Sequence, residues 1–301
     1  MRHSYHVVDV FTDTALAGNP LAVVLDAGDI PSDRCQAIAR EFNLSETVFV
    51  EDPRDPVNTA RLRIFTPMRE LPFAGHPTVG TAALLALLRA PEILLRQDLS
   101  VVLEESIGPI ECTVRRVRGQ VRASFTLPKL PVRSSEALTP EVLARALGLP
   151  SEAIGMDGHA VGVFSAGVPF HCVPVRPGAM AQCRPNIALW PDLLPPDGPQ
   201  AIFVYSRDIE APSSAYRARM FSPAFGIGED PATGSAVAAF AGAVMAYERP
   251  TDGDHTLVIE QGYEMGRPSL ITLGLNVENG ALVSASIGGG TVRIAEGTLH
   301  L

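Results

Sequence analysis

Arg61-Leu62-Arg63-Ile64-Phe65-Thr66-Pro67, a short loop, then Gly75-His76-Pro77-Thr78-Val79-Gly80-Thr81-Ala82 and an apolar run form a passage that the chain states twice. The second version reads Arg217-Ala218-Arg219-Met220-Phe221-Ser222-Pro223, a loop two residues shorter, then Glu229-Asp230-Pro231-Ala232-Thr233-Gly234-Ser235-Ala236 and another apolar run. In the first version Leu62 and Ile64 alternate with Arg61 and Arg63, the period-two pattern of a strand with one buried face. Strand, proline-marked turn, glycine loop and buried helix recur in the same order. The repeat predicts two similar halves with a cleft between them, and in this reading His76 of one half stands where Asp230 stands in the other.

The helices that close each version decide the architecture. Residues 78–89 and 235–247 are apolar nearly all round, and a helix without a polar face is buried on every side. Short strands surround them in sequence, near 4–10, 20–25, 46–50, 58–65, 99–104, 109–116 and 120–126, then 160–166, 170–175, 201–205, 215–221, 256–261, 269–277, 281–287 and 291–294. The expected fold is therefore α+β, with two pseudo-symmetric halves, each a curled β-sheet or barrel wrapped around a central buried α-helix. A further helix fits 32–43, where Cys35, Ile38, Ala39 and Phe42 follow the helical period after Pro31 and Ser32, and another opens at Thr139-Pro140-Glu141 and runs through Leu147. Pro128, Pro131 and Ser134-Ser135 mark a boundary. The halves are read as residues 1–128, joined by a last strand at about 290–301, and 129–289. The proline-rich stretch 174–198 reads as an irregular surface excursion.

Composition narrows the function. The chain has 301 residues, 46% of them hydrophobic and 19% charged, enough for a substantial core. A net charge of −9 without any basic run argues against nucleic acid or an anionic membrane as partner. No apolar run approaches the ~18–20 residues of a membrane span. Asp9 interrupts the apolar stretch a signal peptide would need, so a cytoplasmic location is expected. Cys35, Cys112, Cys172 and Cys183 lie far apart without metal-ligand spacing, and Lys129 is the sole lysine, which leaves a pyridoxal-type Schiff base almost nowhere to form.

Both buried helices begin in Gly/Ser/Thr loops, whose free N–H groups suit a small carboxylate. Gly226-Ile227-Gly228 is half a dinucleotide fingerprint, but Glu229 and Asp230 stand where a phosphate would approach and no lysine follows. Asp230 has an alternative role as a helix cap worth about 1 kcal/mol, and His76 at a helix mouth could be purely structural. As facing groups of two halves they suit an acid/base pair or a substrate clamp. Glu46, in Asn43-Leu44-Ser45-Glu46-Thr47, opens an apolar strand directly after a helix: either a solvated turn residue or, against apolar walls, a base with its pKa drawn towards neutrality.

These motifs are familiar together. Phe11-Thr12, Gly18-Asn19-Pro20, Asn43-Leu44-Ser45-Glu46-Thr47, Phe65-Thr66-Pro67, Glu70-Leu71-Pro72-Phe73-Ala74-Gly75-His76-Pro77-Thr78 and Glu229-Asp230-Pro231-Ala232-Thr233-Gly234-Ser235 resemble the PhzF-like isomerase family of phenazine biosynthesis, and the likeness continues to Glu296-Gly297-Thr298-Leu299. The resemblance implies a diaminopimelate-epimerase-like fold, a last strand returning to the first half, a homodimer, and isomerisation of a dihydro-hydroxyanthranilate without metal or organic cofactor. It implies Glu46 as the acid/base, with His76, Asp230, Ser45 and Ser235 and the backbone at Gly75 and Gly234 binding the substrate. Related epimerases carry two cysteines at the loops occupied here by Gly75-His76 and Asp230, so a two-thiol racemase is not expected. Three other readings compete: a thiol-free epimerase or dehydratase on a hydroxy- or amino acid, a non-catalytic binding protein, and a metal held by Glu46, His76 and Asp230.

Overall fold

The computed structural model describes residues 2–223 and 227–301; Gly226, the first glycine of the half-fingerprint, lies outside them. The chain divides into two compact units, residues 1–126 with 288–301, and residues 127–287. The sequence placed these boundaries at 128/129 and 289/290.

The first unit comprises β1 (Arg2–Val10), β2 (Asn19–Val24), α1 (Ser32–Phe42), β3 (Glu46–Glu51), β4 (Ala60–Phe65), β5 (Glu70–Leu71), α2 (Gly75–Arg89), α3 (Pro91–Leu94), β6 (Leu99–Glu105), β7 (Gly108–Val117) and β8 (Gln120–Thr126). The second comprises β9 (Val132–Ser135), α4 (Pro140–Leu147), β10 (Gly162–Ser165), β11 (Pro169–Pro174), α5 (Trp190–Leu193), β12 (Ile202–Ser206), β13 (Tyr216–Ser222), β14 (Ile227–Asp230), α6 (Gly234–Tyr247), β15 (Gly253–Gln261) and β16 (Ser269–Glu278). The last strand, β17 (Ala281–His300), starts in the second unit and continues into the first, where it pairs antiparallel with β1. The segments read as separate strands near 281–287 and 291–294 are thus one.

Each unit repeats one pairing scheme. β2 runs parallel to β3 as β11 runs parallel to β12. β3 and β4 are antiparallel, like β12 and β13, and β4 is parallel to β6 as β13 is to β15. The first three turns of α2 are buried throughout, and so is α6 from Gly234 to Val244 except at Ser235. Close packing dictates composition here: a Cβ on Gly80 would stand 2.6 Å from Val10 Cγ2 and 2.9 Å from Leu21 Cδ2, so a side chain at this position would hold α2 away from β1 and β2.

Two expectations are corrected. Residues 174–198, many of them exposed, are more than a surface excursion, because Met180, Cys183, Trp190 and Leu194 are buried with Leu143, Leu147 and Phe221 in one core cluster. The Trp190 indole donates to the Ala146 carbonyl at 3.0 Å, and Arg219 donates to the carbonyls of Met180 and Cys183 at 3.0 and 2.9 Å.

The register of the repeat also differs from the sequence reading. Ile64 pairs with Leu71, and its counterpart Met220 pairs with Asp230. Gly75 and Gly234 each begin their helix. Pro72 therefore matches Pro231, His76 matches Ser235, and Asp230 matches Leu71. Ion pairs agree with this alignment: Arg63 grips Glu70 through two bonds of 2.8 Å, and Arg219 grips Glu229 through bonds of 2.7 and 2.9 Å. Each guanidinium also lies over the phenylalanine two residues on, Phe65 at 5.0 Å and Phe221 at 4.9 Å. The second loop is three residues longer than the first, not two shorter.

Candidate active site

Glu46 is delivered by the stop of α1. Asn43 takes the left-handed conformation (φ 51°) and donates its N–H to the Ala39 carbonyl, and the chain then turns into β3 with Glu46 as its first residue. Glu46 lies beside Leu21 of parallel strand β2, with its side chain only 12% exposed. Ser45, immediately before it, is half-buried.

His76 is the second residue of α2 and is buried. Its Nδ1 lies 3.4 Å from Glu46 Oε2. Desolvation lowers the imidazole pKa to about 3, with the Pro20 carbonyl acting weakly the other way, so at neutral pH His76 is an uncharged ring that can donate or accept one hydrogen bond. Gly18, two residues before Pro20, adopts φ +69° and packs so tightly that a Cβ would sit 2.3 Å from the Val10 carbonyl oxygen. Gly75 is buried at the first position of α2, where backbone N–H groups have no intrahelical acceptor.

In the second unit, Asp230 ends β14 and is buried. Thr233 is the N-cap residue of α6, and its hydroxyl donates to Asp230 Oδ2 at 2.6 Å. Gln261, fully buried at the end of β15, fastens the segment: its Nε2 donates to the Asp230 carbonyl at 2.7 Å and to Thr233 Oγ1 at 3.0 Å, while its Oε1 accepts from the Thr233 N–H at 3.2 Å. Gly234 and Ser235 open α6, with Gly234 buried and Ser235 half-buried.

The structure thus brings Glu46 and His76 together in one unit and assembles Asp230, Gly234 and Ser235 in the other. The repeat does not duplicate Glu46: Phe65 pairs with Thr47 as Phe221 pairs with Ile202, which makes Ala201 its counterpart. Gln261 escaped the sequence reading, and so did Glu105, a buried carboxyl whose alternation with Val101 and Leu103 was the available signal. Among the described residues, no three His, Cys, Asp or Glu side chains gather as around a metal ion, and no helix is long and apolar enough to cross a membrane. All four cysteines are buried.

Comparison with known proteins fixes the family. The model of the phenazine biosynthesis-like (PhzC-PhzF) family matches residues 8–297. The chain belongs to this family. It is 48% identical to an uncharacterized isomerase of Mesorhizobium japonicum over 99% of both chains. It is 33% identical to the trans-2,3-dihydro-3-hydroxyanthranilate isomerase of Pseudomonas aeruginosa, over 99% of this chain and 100% of that one. A PhzF-family phenazine biosynthesis protein from Bacillus anthracis superposes with a TM-score of 0.88 at 27% identity, covering both chains completely. A hydroxyproline epimerase from Agrobacterium vitis shares the fold, with a TM-score of 0.63 at 14% identity over 99% of this chain and 91% of that one. The two-unit α+β architecture is therefore that of the PhzF and epimerase-like fold, and the enzyme class is isomerase.

Proposed function

We propose that this isomerase moves a proton between carbons of a small carboxylate, of the dihydro-hydroxyanthranilate type, using Glu46 as its acid/base and no cofactor. The observation that carries the reading is the 3.4 Å approach of a neutral, buried His76 to the carboxyl of Glu46. The Glu46 carboxylate takes a proton from a C–H made acidic by conjugation; the electron pair left behind shifts through the conjugated system, and the same carboxyl returns the proton to a different carbon. Substrate and product then have the same atoms, and the enzyme ends in its starting state. Uncharged His76 orients the substrate by a hydrogen bond and leaves the proton on Glu46, because an imidazole held so far below its ordinary pKa does not compete for it.

Ser45 and Gly75 supply substrate-binding groups beside the base. In the second unit, the N–H groups of the first turn of α6, with Asp230, Gly234 and Ser235, suit a carboxylate or a developing enolate. The Glu46 side chain is only 12% exposed, and limited access of water keeps the abstracted proton available for return. The 33% identical relative, named for dihydro-hydroxyanthranilate isomerisation, supports the choice of substrate class. Steady-state turnover of trans-2,3-dihydro-3-hydroxyanthranilate by wild type and by Glu46→Gln tests the proposal. A loss of at least ~10²-fold in a folded variant is expected; undiminished turnover would remove Glu46 from the chemistry.

A further inference from the structure

The alternation that turns Val101 and Leu103 inward carries two residues further, to Glu105, which is 7% exposed at the end of β6. Across from it, Thr78 Oγ1 lies 2.8 Å from the Ala74 carbonyl oxygen and 2.6 Å from Glu105 Oε1. A hydroxyl has one proton and a carbonyl has none. If Thr78 donated to a Glu105 carboxylate, its approach to Ala74 would set lone pair against lone pair. If Thr78 donates to Ala74, the second contact needs a proton on Glu105. Both contacts are satisfied when Glu105 is a neutral carboxylic acid donating to Thr78. Burial acts in the same direction and lifts its pKa to about 8.

Of the surrounding groups, the Thr78 hydrogen bond acts the other way, by less than burial does. β7 presents the Cys112 thiol, itself pushed up to about 12 and uncharged. α2 presents Thr78, with uncharged His76 at its start. The arginines of β4 are engaged elsewhere, Arg61 with Glu51 and Arg63 with Glu70. Glu104, the next residue back, accepts from the N–H groups of Arg54 and Asp55 and from Asn58.

The internal repeat provides an independent observation. β6 lies against β4 with Glu104 beside Arg61, and β15 lies against β13 with Glu260 beside Arg217. Glu104 and Glu260 do the same work, since Glu260 accepts from the N–H groups of Glu210 and Ala211. One residue on, Glu105 therefore corresponds to Gln261. Gln261 fastens Thr233, the N-cap residue of α6, whereas Glu105 acts through Thr78 on Ala74, the N-cap residue of α2. A side chain that cannot ionise anchors one helix start, and a carboxyl able to donate only when protonated anchors the other.

We propose that Glu105 is a positioning residue, acting as a protonated acid through Thr78 to hold the first turn of α2 and with it His76, and that its ionisation releases this anchor. The inference rests on the reading above only in taking His76 to bind substrate. The anchor is intact below a pH of about 8 and is lost above it. The test is NMR of the full chain with labelled histidine, titrated from neutrality through about 8 and beyond, the His76 signal being identified by its loss in His76→Gln. In wild type the His76 signal should move with a midpoint near 8; in Glu105→Gln, which supplies a donor with no proton to lose, that movement should vanish. Turnover of trans-2,3-dihydro-3-hydroxyanthranilate should show an alkaline fall with the same midpoint, absent in Glu105→Gln. A purely structural role would lower stability without moving either midpoint.

Infrared spectroscopy of wild type needs no variant: a protonated-carboxyl band present at neutral pH should disappear through the same midpoint. A flat His76 signal in wild type, the same movement in Glu105→Gln, or no titrating carboxyl band would each overturn the proposal. Failure to convert this substrate, with the spectroscopic midpoints present, would count against the functional reading alone.

Discussion

Acid should weaken the first unit through His76, by an amount the structure sets. An ordinary histidine titrates at 6.5, and burial lowers His76 to about 3. The unfolded chain therefore binds a proton at pH values where the folded chain does not. Stability from this group is fully present above 6.5 and drains away as pH falls towards 3. The whole interval corresponds to about 5 kcal/mol, and the portion between pH ~7 and pH ~5 to about 2 kcal/mol. His76→Gln removes the titrating group and keeps a side chain that donates and accepts hydrogen bonds. Urea unfolding of both proteins at the two pH values reads the difference, because other buried histidines such as His171, lowered to about 4, are common to both and cancel. Wild type should lose about 2 kcal/mol more than His76→Gln on acidification. Equal losses would mean that His76 is not held neutral, and the account of its role beside Glu46 would fail with it.

Two further substitutions probe the scaffold. Gly80→Ala adds a methyl 2.6 Å from Val10 Cγ2 in a packed core; overpacking of about 1–3 kcal/mol should exceed the gain of about 1 kcal/mol in helix propensity, and calorimetry should show a lower Tm. Arg219→Leu leaves Glu229 without its bidentate partner and the Met180 and Cys183 carbonyls without their donor. The second unit should lose about 3–5 kcal/mol, with hydrogen exchange faster around residues 180–183 than in wild type.

The sequence made some of this legible because the signals are local. A helix apolar on every side must be enclosed, so α2 and α6 and their surrounding strands follow from residues 78–89 and 235–247. Glu46 stood out because a carboxylate opens an otherwise apolar strand directly after a helix. What escaped depends on contacts remote in sequence. Residues 174–198 read as surface because of their prolines, whereas Arg219, from a distant strand, fastens their carbonyls and Trp190 fills the core beneath them.

The repeat shows the same limit more sharply. Gly75-His76-Pro77 and Glu229-Asp230-Pro231 share a proline and a following Gly/Ser/Thr/Ala pattern, which sets His76 against Asp230. Strand pairing and the Arg63–Glu70 and Arg219–Glu229 ion pairs instead align Pro72 with Pro231. An insertion of three residues in the second loop concealed this, because loop length is invisible to a motif match. The matched-pair argument for His76 and Asp230 falls away, and each now rests on its own surroundings. Once the register is correct, Glu105 and Gln261 become counterparts.

The central claim is that Glu46 carries a proton from one carbon of the substrate to another. A proton NMR time course in D₂O with trans-2,3-dihydro-3-hydroxyanthranilate, comparing wild type and Glu46→Gln at equal concentration, tests it most directly. The account predicts isomerised product from wild type, with at least part of the original proton retained at the migrated position, and no product from a folded Glu46→Gln over the same period. Product formation by Glu46→Gln at the wild-type rate would contradict it.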